Sequence, residues 1–148
     1  MKIEIKKLKN GLDLPTPTYQ SKGAAGFDLY AAIDVDYASV SPGHRIIIPT
    51  GVAVAVPEGY ELQVRPRSGL AAKYGISIVN TPGTVDSDYR GELFVILINT
   101  DMSNGFQIKR GDRIAQGVVS PIVQVDLIEV DELSDTTRGT NGFGSTGI

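Results

Sequence analysis

Apolar and charged residues take turns along several short stretches of this chain. Ile3 and Ile5 stand between Lys2, Glu4 and Lys6; Tyr60, Leu62 and Val64 stand between Glu61, Gln63 and Arg65; Val123, Val125 and Leu127 repeat the pattern. Successive side chains of a strand point to opposite faces, so each stretch predicts a strand with one buried face. The runs Arg45–Ile48, Val52–Val56, Ile76–Val79, Leu93–Ile98 and Ile114–Val119 are rich in β-branched residues and predict strands buried more completely. Turn formers separate them at Pro42-Gly43, Pro57-Glu58-Gly59, Pro82-Gly83, Asn104-Gly105 and Gly111-Asp112. Many short strands punctuated in this way make an all-β sandwich or barrel. Only Ser68–Tyr74 reads as a helix, with Ser68 as hydroxyl N-cap and Gly75 as its stop.

Charge and composition narrow the function. The 148 residues suffice for one domain with a real core. A net charge of −3 argues against broad nucleic-acid or acidic-membrane binding, so an anionic ligand would have to be gripped by a few placed arginines. Cysteine is absent and His44 is the single histidine, which excludes a disulfide framework and a zinc centre built on nitrogen or sulfur. The longest apolar run, Leu93–Ile98, is far too short to span a bilayer, and the leading MKIEIKKLKN has no apolar signal core. A soluble cytoplasmic protein is expected.

The end of the chain differs from the rest. Five acids and no base fall between residues 126 and 135, and the stretch from Ser134 to Ile148 holds four glycines and six hydroxyl side chains. With Phe143 and Ile148 as its sizeable apolar groups, this tail cannot bury enough surface to order itself. It is read as a flexible arm (134–148) leaving a β-rich core (1–133). Its chemistry suits an anion: glycine backbone N–H groups, the hydroxyls of Ser145 and Thr146, the fork of Arg138, and a stacking face on Phe143. A plain disordered tail is the alternative.

Other stretches are also double in meaning. Arg67 and Ser68 in Arg65-Pro66-Arg67-Ser68-Gly69 could hold a phosphate at the helix start, or could be a cap with solvated arginines. The loop from Asn80 to Gly91 is too long for a tight turn. Its backbone could face a planar base, Asp86 could orient a water and Tyr89 could pack on a sugar, or these could be turn formers and rim packing. Asp28 is either an interior hydrogen-bonding group or a member of a water or metal shell. Gln116 could donate to phosphate or satisfy backbone groups.

Taken together and in order, the stretches resemble the trimeric dUTPase (deoxyuridine triphosphate nucleotidohydrolase) family. The five matching segments are AGFDLYAA (25–32), RPRSGLAAKYGI (65–76), NTPGTVDSDYRGEL (80–93), GDRIAQ (111–116) and RGTNGFGSTG (138–147). The resemblance spans essentially the whole chain. It implies a homotrimer of distorted jelly-roll (β-clip) subunits with one short helix, a closing C-terminal arm and three active sites at subunit boundaries. Asp86 would hold the attacking water; Asn80, Thr84 and Val85 would bind uracil; Tyr89 would stack on deoxyribose. Arg67, Ser68, Gly69 and Gln116 would contact the phosphates of dUTP, and Arg138, Phe143, Gly144, Ser145 and Thr146 would close over the nucleotide. Mg2+ would ride on the triphosphate, with Asp28 in its shell through water. The implied reaction is hydrolysis of dUTP to dUMP and pyrophosphate by in-line attack on the α-phosphorus, which lowers dUTP and supplies dUMP for thymidylate synthesis. A dCTP deaminase of the same fold and a non-catalytic dUTP-binding trimer are the rival readings.

Overall fold

The computed structural model describes residues 1–142. Its elements in chain order are strands β1 (Glu4–Lys7), β2 (Phe27–Tyr30), β3 (Tyr37–Val40), β4 (Arg45–Pro49), β5 (Val52–Ala55) and β6 (Tyr60–Arg65), then helix α1 (Ser68–Tyr74). Strands β7 (Ile76–Ile78), β8 (Gly83–Val85), β9 (Phe94–Asn99), β10 (Phe106–Lys109) and β11 (Arg113–Pro121) complete the set. A single 3-10 turn, Lys9–Gly11, follows β1. All strand pairs are antiparallel and form four small sheets, ordered β1-β5, β10-β3, β2-β11-β6-β8 and β4-β9-β7. This is the all-β architecture with one short helix that the pattern predicts.

The alternation lands where expected. Leu62 and Val64 of β6 are buried while Arg65 is exposed. Leu29, Ile48, Leu62, Ile76, Leu97, Ile108 and Ile114 are almost wholly enclosed and join one contiguous core. Each such side chain contributes about 1.5–3 kcal/mol of transfer free energy. Asn99, equally enclosed, is satisfied: its amide donates to the carbonyls of Val40 (3.1 Å) and Asn104 (2.8 Å), and its oxygen accepts from the Asp101 N–H.

Two local features of the backbone shape the fold. The register of β11 on β2 shifts between Arg113 and Ala115, a bulge that turns consecutive residues Ile114 and Ala115 both inward. Beyond it, Asp28, Gln116 and Arg65 fall into one cross-strand row. Elsewhere Gly51, in the left-handed region at φ +69°, meets Gly11 backbone to backbone. A Cβ on Gly51 would lie 2.5 Å from the Gly11 Cα, and one on Gly11 would lie 2.3 Å from the Gly51 carbonyl oxygen.

Two expectations need correction. The N-cap of α1 is Arg67, in extended conformation and without a side-chain cap bond; Ser68 is already the first helical residue. Gly75 does end the helix, at φ 64° and ψ 20°, with its N–H on the Ala71 and Leu70 carbonyls. Val123, Val125 and Leu127 form no strand within this chain: Leu127 is 93 % exposed, and the last strand ends at Pro121. A period-two pattern makes a strand only where a partner offers a ladder, and none of the chain's own strands does so here. The pair β3–β10 was not foreseen; Tyr37–Val40 and Phe106–Lys109 are short and far apart in sequence.

Candidate active site

Asp28 organises the phosphate-type residues. It sits on β2 at 8 % exposure, and each carboxylate oxygen receives one guanidinium: Arg67 Nε on Oδ1 at 3.1 Å and Arg113 Nη1 on Oδ2 at 3.1 Å. Arg67 also donates from Nη1 to the Arg113 carbonyl at 2.9 Å, so its fork is fixed from two sides. Of the two roles open to Asp28 in the sequence, that of an interior hydrogen-bonding group is realised in these contacts. Arg113 was not singled out beforehand; it reaches Asp28 from the start of β11, beside the bulge.

Gln116 stands next to this cluster and is tethered through Nε2 to the Pro66 carbonyl at 2.9 Å. Gly26 makes room for it, since a Cβ there would come within 2.9 Å of the Gln116 amide oxygen. Arg65, Pro66, Ser68, Thr81, Pro82 and Gln116 line a hollow of about 490 Å³. Ser68 and Gly69 are exposed at the start of α1, and nothing within this chain crowds Gly69.

The second group lies on the hairpin. β8 pairs with β6 in the register Gly83↔Val64, Thr84↔Gln63 and Val85↔Leu62. Asn80 and a cis Thr81–Pro82 peptide precede it. The chain then turns, with the Tyr89 N–H on the Asp86 carbonyl at 3.2 Å. Thr84, Val85, Asp86, Tyr89, Glu92 and Leu93 border a narrow hollow of about 220 Å³. Asp86 is exposed at its rim and also borders a larger hollow of about 810 Å³, shared with Glu4, Glu58, Asp88, Arg90 and Gln124. Neither space includes Arg67, Ser68 or Gln116.

The arm is described only to Gly142. Arg138 is exposed and donates from Nε to the Asn141 carbonyl at 2.8 Å. Phe143, Gly144, Ser145 and Thr146 lie outside the described residues. Among the described residues no three His, Asp or Glu side chains converge as a metal cage.

The sequence model of the dUTPase family matches residues 13–147. The chain belongs to the dUTPase family. A deoxyuridine 5'-triphosphate nucleotidohydrolase of Nautilia profundicola is 56 % identical over 147 residues, covering 99 % of each chain, and one of Zymomonas mobilis is 55 % identical over 148. Among solved structures, a mutant dUTPase of Staphylococcus bacteriophage 80alpha with dUpNHpp superposes with a TM-score of 0.85 at 28 % identity, over 99 % of each chain. A mutant dUTPase of phage phi11, described with a structural Mg(II) ion, gives 0.78 at 25 % identity over 91 % of this chain. Four of the five matching segments thus fall on two clusters of this fold, one around Asp28 and Arg67 and one on the hairpin, and the fifth, 138–147, belongs to the arm.

Proposed function

We propose that this protein hydrolyses dUTP to dUMP and pyrophosphate, with Asp86 holding the water that attacks the α-phosphorus in line. The observation that carries the reading is the hairpin itself: an exposed carboxylate at the rim of a narrow hollow that also contains Tyr89, in a chain whose full-length relatives are named for this hydrolysis. Asn80, Thr84 and Val85 bind uracil through the hairpin, and Tyr89 lies against deoxyribose. The water gives its proton toward Asp86 as the new oxygen–phosphorus bond forms and pyrophosphate departs. An ordinary carboxylate is a weak base, so most of its effect is to hold the nucleophile in line.

Arg67, Ser68, Gly69 and Gln116 hold the phosphate chain, with Arg67 aimed by Asp28. Such groups offset the charge that would repel an incoming oxygen. Mg2+ bound on the triphosphate supplies further charge neutralisation, and Asp28, already engaged by two arginines, would meet it only through water. Residues 1–133 form the body and 134–148 the arm, whose Arg138, Phe143, Gly144, Ser145 and Thr146 close over the nucleotide and exclude water.

The spacing of the two clusters supports a homotrimer with shared sites. Asp86 follows Val85, which pairs with Leu62, so it falls level with Glu61, whereas Arg67 lies six residues further on. At ~3.3 Å per residue the stretch of β6 from Glu61 to Arg65 alone covers roughly 13 Å, and Arg67 lies beyond it, which favours the two acting in different sites. In this reading a second copy brings the other half of each site. The exposed Ile47 and Phe94 on the β4-β9-β7 sheet, Val79 just past β7, and the uncovered Val123 to Leu133 supply apolar surface for such an assembly. The arm then reaches a neighbour's site. Among the described residues no helix is long and apolar enough to cross a membrane, and a cytoplasmic location accords with the lack of cysteine.

The deciding assay follows pyrophosphate from dUTP, dTTP, dCTP and UTP. Release from dUTP alone is expected; ammonia from dCTP without pyrophosphate from dUTP would overturn the assignment. A chain ending at Thr137 is expected to assemble and to lose most of its turnover.

A further inference from the structure

The hairpin ends in a clamp that nothing in the phosphate chemistry requires. Glu92 borders the hollow, and one oxygen of its carboxylate accepts two bonds, from Asn10 Nδ2 and from the Gly51 N–H, each 2.8 Å. The next residue completes the fastening. Leu93 donates to the Val52 carbonyl at 2.8 Å, and its own carbonyl accepts from both the N–H (3.1 Å) and the hydroxyl (2.7 Å) of Thr50. The corner so gripped is also packed from behind, where Gly51 meets the Gly11 backbone.

Tyr89 is held by the same residue. Its hydroxyl donates to the Glu92 carbonyl at 2.9 Å. Its ring rests on the backbone at Gly91, where a Cβ would come within 2.4 Å of the hydroxyl oxygen and 2.6 Å of Cζ. The rest of the side chain is open, at 43 % exposure, toward the hollow it lines. An exposed aromatic ring ordinarily samples several rotamers; this one is fixed at its tip and along one face.

We infer that Glu92 is a positioning residue for Tyr89, and that together with Gly91 it sets how strictly the site rejects a ribose in place of deoxyribose. The inference rests on the proposed dUTP reading, in which Tyr89 lies against the sugar. A ring fixed in height leaves no space for a 2'-hydroxyl, and a ring free to recede opens that space. Rejection by crowding therefore depends on the support behind the ring as much as on the ring. Glu92 never touches the nucleotide in this account. It acts by joining the hairpin exit to the corner between β4 and β5.

The experiment compares kcat/KM for dUTP and for UTP in the wild type, Glu92→Ala, Glu92→Gln and Gly91→Ala. Glu92→Ala removes the acceptor for Asn10 and Gly51, and the dUTP/UTP ratio should fall about tenfold or more. Glu92→Gln keeps an oxygen in the same place and should restore most of the ratio. Gly91→Ala puts a methyl group where the Tyr89 hydroxyl sits, breaks its bond to the Glu92 carbonyl and frees the ring, so the ratio should fall although the Glu92 carboxylate keeps its own partners. A folded Glu92→Ala with the wild-type ratio, both substrates declining equally, would overturn the inference, because a merely structural role moves both alike. Should Glu92→Ala fail to fold, Gly91→Ala and Tyr89→Phe decide: ratios unchanged in both refute it, and lowered ratios support it. A wild type inactive on dUTP would refute the parent reading instead, so the two failures are distinguishable.

Discussion

Replacing Asp28 by Asn tests the cluster that aims Arg67. The wild-type carboxylate presents one oxygen to each arginine, both at 3.1 Å. The amide retains one acceptor and turns an NH2 toward the other guanidinium, so a donor faces a donor. One charge-assisted bond is lost, worth about 1.5–3 kcal/mol. Full burial would raise the cost of the stranded cation to about 3–5 kcal/mol. Here the side chains of Arg67 and Arg113 are 28 % and 44 % exposed, so water recovers part of that and the lower range applies. At about 2–4 °C per kcal/mol for a chain of this size, Tm should drop by roughly 3–12 °C. The assay is thermal unfolding followed by circular dichroism, at one fixed protein concentration because assembly also contributes. In the same variant KM for dUTP should rise, since Arg67 loses its support. Melting within about 1 °C of the wild type would refute the reasoning, by showing that these ion pairs carry no net stability.

Mixing two inactive variants tests the sharing of sites. Asp86→Asn and Arg67→Ala, each nearly inactive alone, should regain activity when their subunits are reassorted. With equal amounts about a quarter of sites receive both intact halves, one half times one half; no recovery after verified exchange would place the whole site within one chain. Gly117→Ala should destabilise the β11–β2 pair by about 1–3 kcal/mol, because its Cβ would lie 2.7 Å from the Phe27 ring; urea midpoints check this. The hydrogen bond from Arg110, then Asp13's own backbone, holds the Asp13 carboxyl below its ordinary value. A depressed pKa contributes stability above about pH 4 that is lost as acid passes through the folded value. Asp13→Asn should therefore unfold more readily than the wild type at neutral pH and match it in strong acid.

The sequence made some of this plain and left the rest hidden, for physical reasons. β6 and α1 were readable because their signals are local: a period of two in one, a run of helix formers ending at a left-handed glycine in the other. The pairing of β3 with β10 was not, since partners such as Ser39 and Gln107 find each other only in three dimensions. Val123 to Leu127 misled because a strand's pattern can be written for a partner outside the chain's own sheets. The site divides likewise. Asp86, Arg67 and Gln116 could be named from their motifs. The bond of Arg113 to Asp28 spans 85 residues and that of Asn10 to Glu92 spans 82, so no local signal points to either.

The touching backbones of Gly11 and Gly51 carry a historical consequence. Neither position can acquire even a methyl group unless the other strand of main chain withdraws, and withdrawal would unseat the corner on which the nucleotide-facing loop hangs. Forty residues apart, they share a single allotment of space. Sequence drift at one is bounded by the other, although no substrate ever reaches them.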